Sequence, residues 1–576
     1  MRCWSYFFLI AAVSAQTPTG EVTSRDEAPT FQSSVNLVRV PVVVRDKAGH
    51  PVGGLHQNDF HLNDLGKPQE IAQFALEGSA VAKPAERQTR AELTGEPAAG
   101  AKPVVPTRFV AFVFDDVHLT VEDLGNVRVA ALKHIEQGIP PQERVGILTL
   151  SGNLALEFTN DVAKFRETLA KLQPLPPRAH FPPASFYAAS QYMRNTGDDA
   201  LGCSFSPPCA VSCDTRMPAA LQMQTYLTAD CLHLTCEQIT LAPSIARATL
   251  RSVYNEGAGQ AYNAFRILNN IVRLLGSMPG DRVMILVSPG FDLPDDLQRS
   301  LGESIDRATR SGVIINTLDA RGVYTSDPIA EVQGCTLTQA RTQQELTRFN
   351  HEAISVQGLI LNTLAHSTGG TALNDNDLLG GFNRLASPPE YVYYLGFYPR
   401  ELKPDGKFHE IKVTLANGQG LSVQARKGYW APSHVEDAAA ATTREIAEAV
   451  FSHDELRDLP LDIDTGFYKT TGADAKLKIT AHLDIRRLHL RKADDRNRND
   501  VTVVCALFDG NGNYLKGVQK VVELRLKDEN LEHRRTLGLT MISDFDVKRG
   551  AYMIRVVARD AEGRQMAAAN DTVEIP

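Results

Sequence analysis

An excess of positive charge is missing from this chain. The formal net charge is −8 and the pI about 6.0. The chain therefore lacks the clustered cations that displace counterions from a phosphate backbone, and a nucleic-acid partner is excluded. The one basic run, from Arg486 to Arg498, is interrupted by Asp494 and Asp495 and reads as a solvated loop. Long apolar runs are missing too. Beyond the N-terminus no segment reaches the ~18 uninterrupted apolar residues of a membrane helix, so no transmembrane segment is expected after signal removal. Compact catalytic motifs are also absent. His351-Glu352 opens like a zincin helix, but Ser355 stands where HExxH needs its second histidine. No GxSxG elbow and no Walker A loop occur. Gly257-Ala258-Gly259 precedes a helical stretch, yet Tyr262 takes the place of the remaining glycine of a dinucleotide fingerprint. His366, before Ser367-Thr368-Gly369-Gly370, reads as a turn histidine. The expectation is a non-enzyme.

What is present is ample apolar material, 43% of 576 residues, enough for three or four domains. Arg2, the apolar stretch Cys3–Val13 and the small residues Val13-Ser14-Ala15 have the form of a signal peptide over 1–15. The expected location is secreted or periplasmic. Cysteine usage agrees with export. Cys203, Cys209, Cys213, Cys231 and Cys236 crowd one segment and Cys335 lies in another, so these six are the disulfide candidates, with connectivity open. A zinc site with His233 is the rival reading, weakened because neither Cys209-Cys213 nor Cys231-Cys236 is CxxC. Cys505 shares the phase of Val501, Val503 and Leu507 and reads as a buried, inert thiol.

Along the chain, 16–34 reads as a flexible leader and 35–78 as an N-terminal β module opening with VNLVRVPVVV. A linker over 79–106 is rich in Ala, Pro, Glu and Lys. From 107 to 387 buried apolar strands alternate with amphipathic helices, the rhythm of a doubly wound, mostly parallel α/β sheet. That rhythm is broken by a Cys-rich insertion over 174–247 and a second loop over about 321–349. Three strands over 388–432, joined by turns at Asp405-Gly406 and Asn417-Gly418, are expected to pack with the N-terminal module. Residues 448–576 read as a C-terminal β-sandwich with a hairpin turn at Asp509-Gly510-Asn511-Gly512.

The order of several stretches resembles the von Willebrand factor type A (VWFA)-related family of the acidobacterial type. They are VNLVRVPVVVRDKAGHPVGGLHQNDFHLNDLGKPQEIAQF, FVAFVFDDVHLT, RVMILVSPGFD, INTLDARGVYT, LAHSTGGTALNDNDL, and YYLGFYPRELKPDGKFHEIKVTL with ARKGYWAP. The resemblance covers roughly 35–432. It implies a type A (VWFA) α/β fold, here expected between β-sandwich modules, together with export and no established chemistry.

It also implies a divalent-cation site, usually Asp-x-Ser-x-Ser plus a distant Thr and Asp, suited to Mg²⁺ or Ca²⁺. This chain departs from that pattern. Counting from Asp115, the serine positions hold Val117 and Leu119. Counting from Asp116, they hold His118 and Thr120. Ser288-Pro289-Gly290 replaces Ser-Asp-Gly, with Asp292 two residues on and Asp319 at the next strand end. The expected metal candidates are Asp115, Asp116, His118, Thr120 and Asp292, forming a degenerate adhesion site. A metal-free alternative makes these carboxylates helix caps. The functional expectation is a secreted interaction or adhesion module for an unidentified protein or envelope ligand. The alternatives are a metal-dependent hydrolase and a structural envelope protein.

Overall fold

The computed structural model describes residues 21–27, 38–47, 51–78, 106–176, 180–194, 203–206, 210–214, 216–294, 297–322, 335, 340–387, 391–397, 399, 407–416, 418, 420–431, 438–452, 456–469, 474–563 and 565–576. The proposed signal peptide, the 79–106 linker apart from its final residue, and Cys209 lie outside them. The chain divides into two units, one drawn from 32–445 with 511–513 and the other from 1–31, 446–510 and 514–576.

In the larger unit a six-stranded sheet begins with β1 (Arg108–Phe114) and β2 (Glu143–Thr149). It continues with β3 (Ala155–Thr159), β4 (Asp281–Ser288), β5 (Val313–Asp319) and β6 (Ala372–Leu373), in the spatial order β6-β5-β4-β1-β2-β3. All seven residues of β1, RFVAFVF, are buried, because helices cover both sides. One side packs Phe109, Ala111, Val113, Met284 and Leu286 against three helices: α3 (Ala242–Gly276), α4 (Gln298–Arg310) and α5 (Ala340–Thr368). The other packs Val110, Phe112, Phe114, Ile285 and Val287 against α1 (Val121–Glu136), α2 (Val162–Ala170) and α6 (Leu378–Ala386).

The expected fold class, a von Willebrand factor type A-like doubly wound and mostly parallel sheet, is corrected by the whole set of sheets. Five of the six sheets among the described residues are antiparallel throughout, and even the central sheet ends in an antiparallel edge strand, β3. The chain is mixed α/β with several antiparallel sheets. The βα alternation between 107 and 387 is the loudest periodic signal in the sequence. The antiparallel strands, short and half-polar, are individually quieter.

Two antiparallel sheets bring the ends of the larger unit together. In the first, Val38–Arg45 lies between Tyr391–Phe397 and Ser422–Ala425, and Gln73–Gly78 pairs with Tyr391–Phe397. In the second, Phe408–Leu415 pairs with Phe60–Asp64 and Gly428–Trp430. The strands after 388 therefore do not form a hairpin series. They divide between two sheets, because each needs a partner whose apolar face meets the core of Val40, Val42, Phe60, Tyr393 and Phe397.

The described residues of the Cys-rich insertion form a largely helical body. Helices Phe186–Arg194 and Ala219–Cys231 share a core of Tyr187, Leu221, Tyr226 and Leu227 with Leu250 and Val253 of α3 and Phe349 of α5. The 35 residues of α3 and 29 of α5 each run from this core into that of the central sheet. Disulfides join Cys203 to Cys213 and Cys231 to Cys335, and Cys236 is also disulfide-bonded. The Cys231–Cys335 bridge ties the first insertion to the second. These bridges fall among the expected disulfide candidates, and the rival zinc reading gives way to them.

The smaller unit is a β-sandwich. A seven-stranded antiparallel sheet and the three strands Leu461–Lys469, Asp474–Leu483 and Leu539–Lys548 face a common core of Leu477, Ile479, Val503, Leu524, Phe545 and Ile554. Its edge strand is Val22–Glu27, paired with Val22 opposite Leu524, so that part of the expected flexible leader is structured. Arg555, wholly buried, donates to the Ala449 carbonyl at 2.6 Å and to Asn570 at 2.9 Å. Cys505 is a free, buried thiol whose pKa burial pushes up to about 12, which makes it inert.

Candidate functional site

Strand order in the central sheet reverses between β1 and β4: the chain leaves β1 toward β2, then returns to place β4 on the other side. Ligands of open α/β sheets bind in the crevice beyond the carboxyl ends of the strands at such a reversal. Here those ends carry Asp115 and Asp116 after β1, Ser288 closing β4, and Asp319 closing β5.

Asp115 is fully buried and fully engaged. Its Oδ2 accepts from Ser288 Oγ at 2.6 Å, and His118 Nδ1 lies 2.9 and 3.0 Å from its two oxygens. The backbone N–H groups of Val117 and His118 donate to Oδ1 at 3.2 and 3.0 Å. Burial pushes the Asp115 pKa up, but the charge and hydrogen bonds of His118, with Ser288, carry it below the usual 3.8. Burial likewise opposes charge on His118, and the Asp115 carboxylate overcomes it, so that the imidazole pKa stands above the usual 6.5. The ring stacks on Phe291, with centroids 5.3 Å apart, which fixes its plane. Asp115, buried, and His118, half-buried, form a charge pair whose carboxylate has its oxygens committed.

Asp116 turns elsewhere. It accepts from the Ser151 backbone N–H at 2.9 Å and from Ser151 Oγ at 2.5 Å, anchoring the loop after β2. Thr120 is the N-cap of α1: its Oγ1 accepts from the Asp123 N–H at 3.1 Å and donates to the Asp123 carboxylate at 2.7 Å. Thr120→Ala is expected to cost about 1 kcal/mol, read as a lower urea midpoint at unchanged slope. Asp292 is buried and its Oδ1 accepts from the Leu293 N–H at 2.8 Å. Asp319 holds Arg321 through both guanidinium contacts at 3.0 and 2.8 Å, and Arg321 reaches Gln357 at 2.9 Å.

The structure thus brings Asp115 and His118 together and sends Asp116, Thr120 and Asp292 to separate tasks. The donor set does not fit a hard divalent cation. The Asp115 oxygens face an imidazolium, Val117 and Leu119 supply no oxygen, and the Thr120 hydroxyl is spent on its helix. Among the described residues no group of three His, Cys, Asp or Glu side chains is placed to hold a metal ion. At these five residues the structure shows a charge pair with flanking caps. Sequence reading missed the roles of Ser151, Ser288, Phe291 and Gln357. Ser288 had a readable signal, since it is the polar residue ending an apolar strand.

The contact order also bears on nucleophilic chemistry. Ser288 bonds to the carboxylate and not to the imidazole, and its Oγ also accepts from the Gly290 N–H at 2.9 Å. A serine nucleophile needs the base beside its own hydroxyl.

No protein family matches the chain, and no curated protein does. Among solved structures, a β-glucuronidase 2 of Bacteroides uniformis shares 11% identity at a TM-score of 0.14, over 34% of this chain and 20% of that one. A β-glucosidase 3B from Thermotoga neapolitana shares 11% identity at a TM-score of 0.10, over 54% of this chain and 40% of that one. The chain thus spans about a fifth of the length of the first of these. Among the described residues no helix is long and apolar enough to cross a membrane.

Proposed function

We propose that the chain is an exported, non-enzymatic interaction module that binds a protein or envelope ligand without a resident metal. Its contact surface is the strand-end edge around Asp115–Thr120, Ser288–Asp292 and Asp319–Arg321. The observation that carries this reading is the Asp115–His118–Ser288 cluster at the strand-order reversal. There the half-buried His118 ring stands against the carboxylate that a cation would otherwise engage, so the edge is preorganised without an ion. Two further features agree with it. Val121, next to this edge, is 76% exposed, an apolar side chain available to a partner. The disulfides suit an oxidising compartment, as export requires.

The test measures binding of the labelled chain to intact envelope preparations in EDTA. Wild type is expected to bind saturably, and Val121→Asp about tenfold more weakly, the loss of one interface contact worth ~1.4 kcal/mol. Thermal unfolding is expected to be unmoved by Mg²⁺ or Ca²⁺. Cation-dependent binding, or a melting temperature that climbs with either ion, overturns the metal-free reading. Wild-type binding that Val121→Asp leaves untouched overturns the edge.

A further inference from the structure

Arg426 stands between the strands Ser422–Ala425 and Gly428–Trp430, and the second of these packs on α4. It is only 5% exposed. Its backbone lies against the turn that follows α5, where a Cβ on Gly369 would sit 3.6 Å from the Arg426 nitrogen and 3.6 Å from Pro41 Cγ. Its Nε has no hydrogen-bond partner. Other buried arginines are served differently. Arg108 meets Glu143 and the Ala386 carbonyl, Arg144 the carbonyls of Pro141 and Glu143, and Arg555 the Ala449 carbonyl and Asn570.

The groups whose charge acts on Arg426 are Tyr429 and, after it, Asp306 on α4, and Asp306 is already taken: Arg310 Nε lies 2.9 Å from its Oδ1. Arg307, the next residue, also acts on that carboxylate while its Nε donates to Asn269 at 3.1 Å. Arg310 therefore holds the Asp306 carboxylate, and Arg426 keeps a buried Nε without a hydrogen-bond partner. Burial drives the Asp306 pKa up and lowers that of Arg426 to about 10, so both charged forms are under strain at this seam. An isolated buried cation is costly, and proteins that keep one pair it or hydrate it.

We propose that Arg426 marks a binding site for a small oxyanion, phosphate-like or carboxylate, at the seam between α4 and the strand Gly428–Trp430. The planar guanidinium fork is shaped for two-point recognition of such an anion, and an ammonium is not. The near-complete burial of Arg426 selects a small free ion. An anionic headgroup carried on a membrane or polymer has no route to a side chain 5% exposed. The ion supplies the negative charge that Asp306 alone does not.

The experiment is calorimetric titration of the whole chain with inorganic phosphate, sulfate and acetate at matched ionic strength. One saturable site is expected, and the anion bound most tightly assigns the class. Arg426→Lys keeps the charge but loses the fork, and its affinity is expected to fall at least tenfold. Asp306→Asn removes the competing carboxylate and is expected to tighten binding several-fold, a gain that misfolding does not produce. No saturable binding by wild type overturns the proposal. So does an Arg426→Lys affinity equal to wild type, or an Asp306→Asn affinity that is unchanged or weaker.

Discussion

Asp115→Ala is expected to lower the stability of the larger unit by about 3–5 kcal/mol, the cost of leaving a buried charge without its partner. His118 loses its carboxylate, the Ser288 hydroxyl loses its acceptor, and two backbone N–H groups lose theirs. Urea unfolding at unchanged slope measures the loss. The pH dependence carries a definite sign. The folded pKa of His118 lies above its usual 6.5, so its contribution is complete below pH 6.5 and fades as pH rises through the elevated value. The folded pKa of Asp115 lies below its usual 3.8, so its contribution is complete above pH 3.8 and fades as pH falls through the depressed value. The difference between wild type and Asp115→Ala is thus greatest between those two values and shrinks on the alkaline side. A difference that stays constant from about pH 5 to pH 9 would show that His118 is not charged in the folded chain.

Removing the Cys231–Cys335 bridge by paired Cys→Ser substitution is expected to cost about 3–5 kcal/mol. The bridged residues are 104 apart, and closing a loop of about that length removes roughly 4.7 kcal/mol of chain entropy from the unfolded state on the usual model. The bridge also fastens the insertion core, which depends on Cys231, Leu346 and Phe349 meeting across two distant segments. The checks are unfolding with and without reductant and mobility on non-reducing gels. Reduced wild type should fall at least to the level of the oxidised double variant, since reductant also opens Cys203–Cys213 and the bridge at Cys236. A melting curve indifferent to reductant would assign the stability of the insertion to its apolar core alone.

The strands β1, β4 and β5 were legible because burial on both faces leaves mostly apolar residues, as in VMILV and VIINTL. The edge strand β3, ALEFT, was missed, since its exposed face admits Glu157 and breaks the run. The strand Val22–Glu27, VTSRDE, carries almost no hydrophobic signal and is recruited by pairing alone. The helical insertion was hidden by its cysteines and prolines. Its core is completed by α3 and α5, whose relevant turns lie far along the chain. At the site, the sequence located the right strand ends. It could not say which oxygens were already spent, because that depends on Ser288 and Ser151 arriving from other strands. The fold class failed at a different level: one strongly periodic region stood in for a chain most of whose sheets are antiparallel.

The strand Val22–Glu27 finds its partner in Gln519–Leu524, near the opposite end of the chain. During synthesis it emerges long before that partner and waits for it before it can dock. The same holds for Val38–Arg45 and its neighbour Tyr391–Phe397. Such late closure is slow and leaves sheet edges open meanwhile. Truncation from the C-terminal side therefore strips the earliest strands of their partners, and nascent chains of intermediate length are the species that need a chaperone.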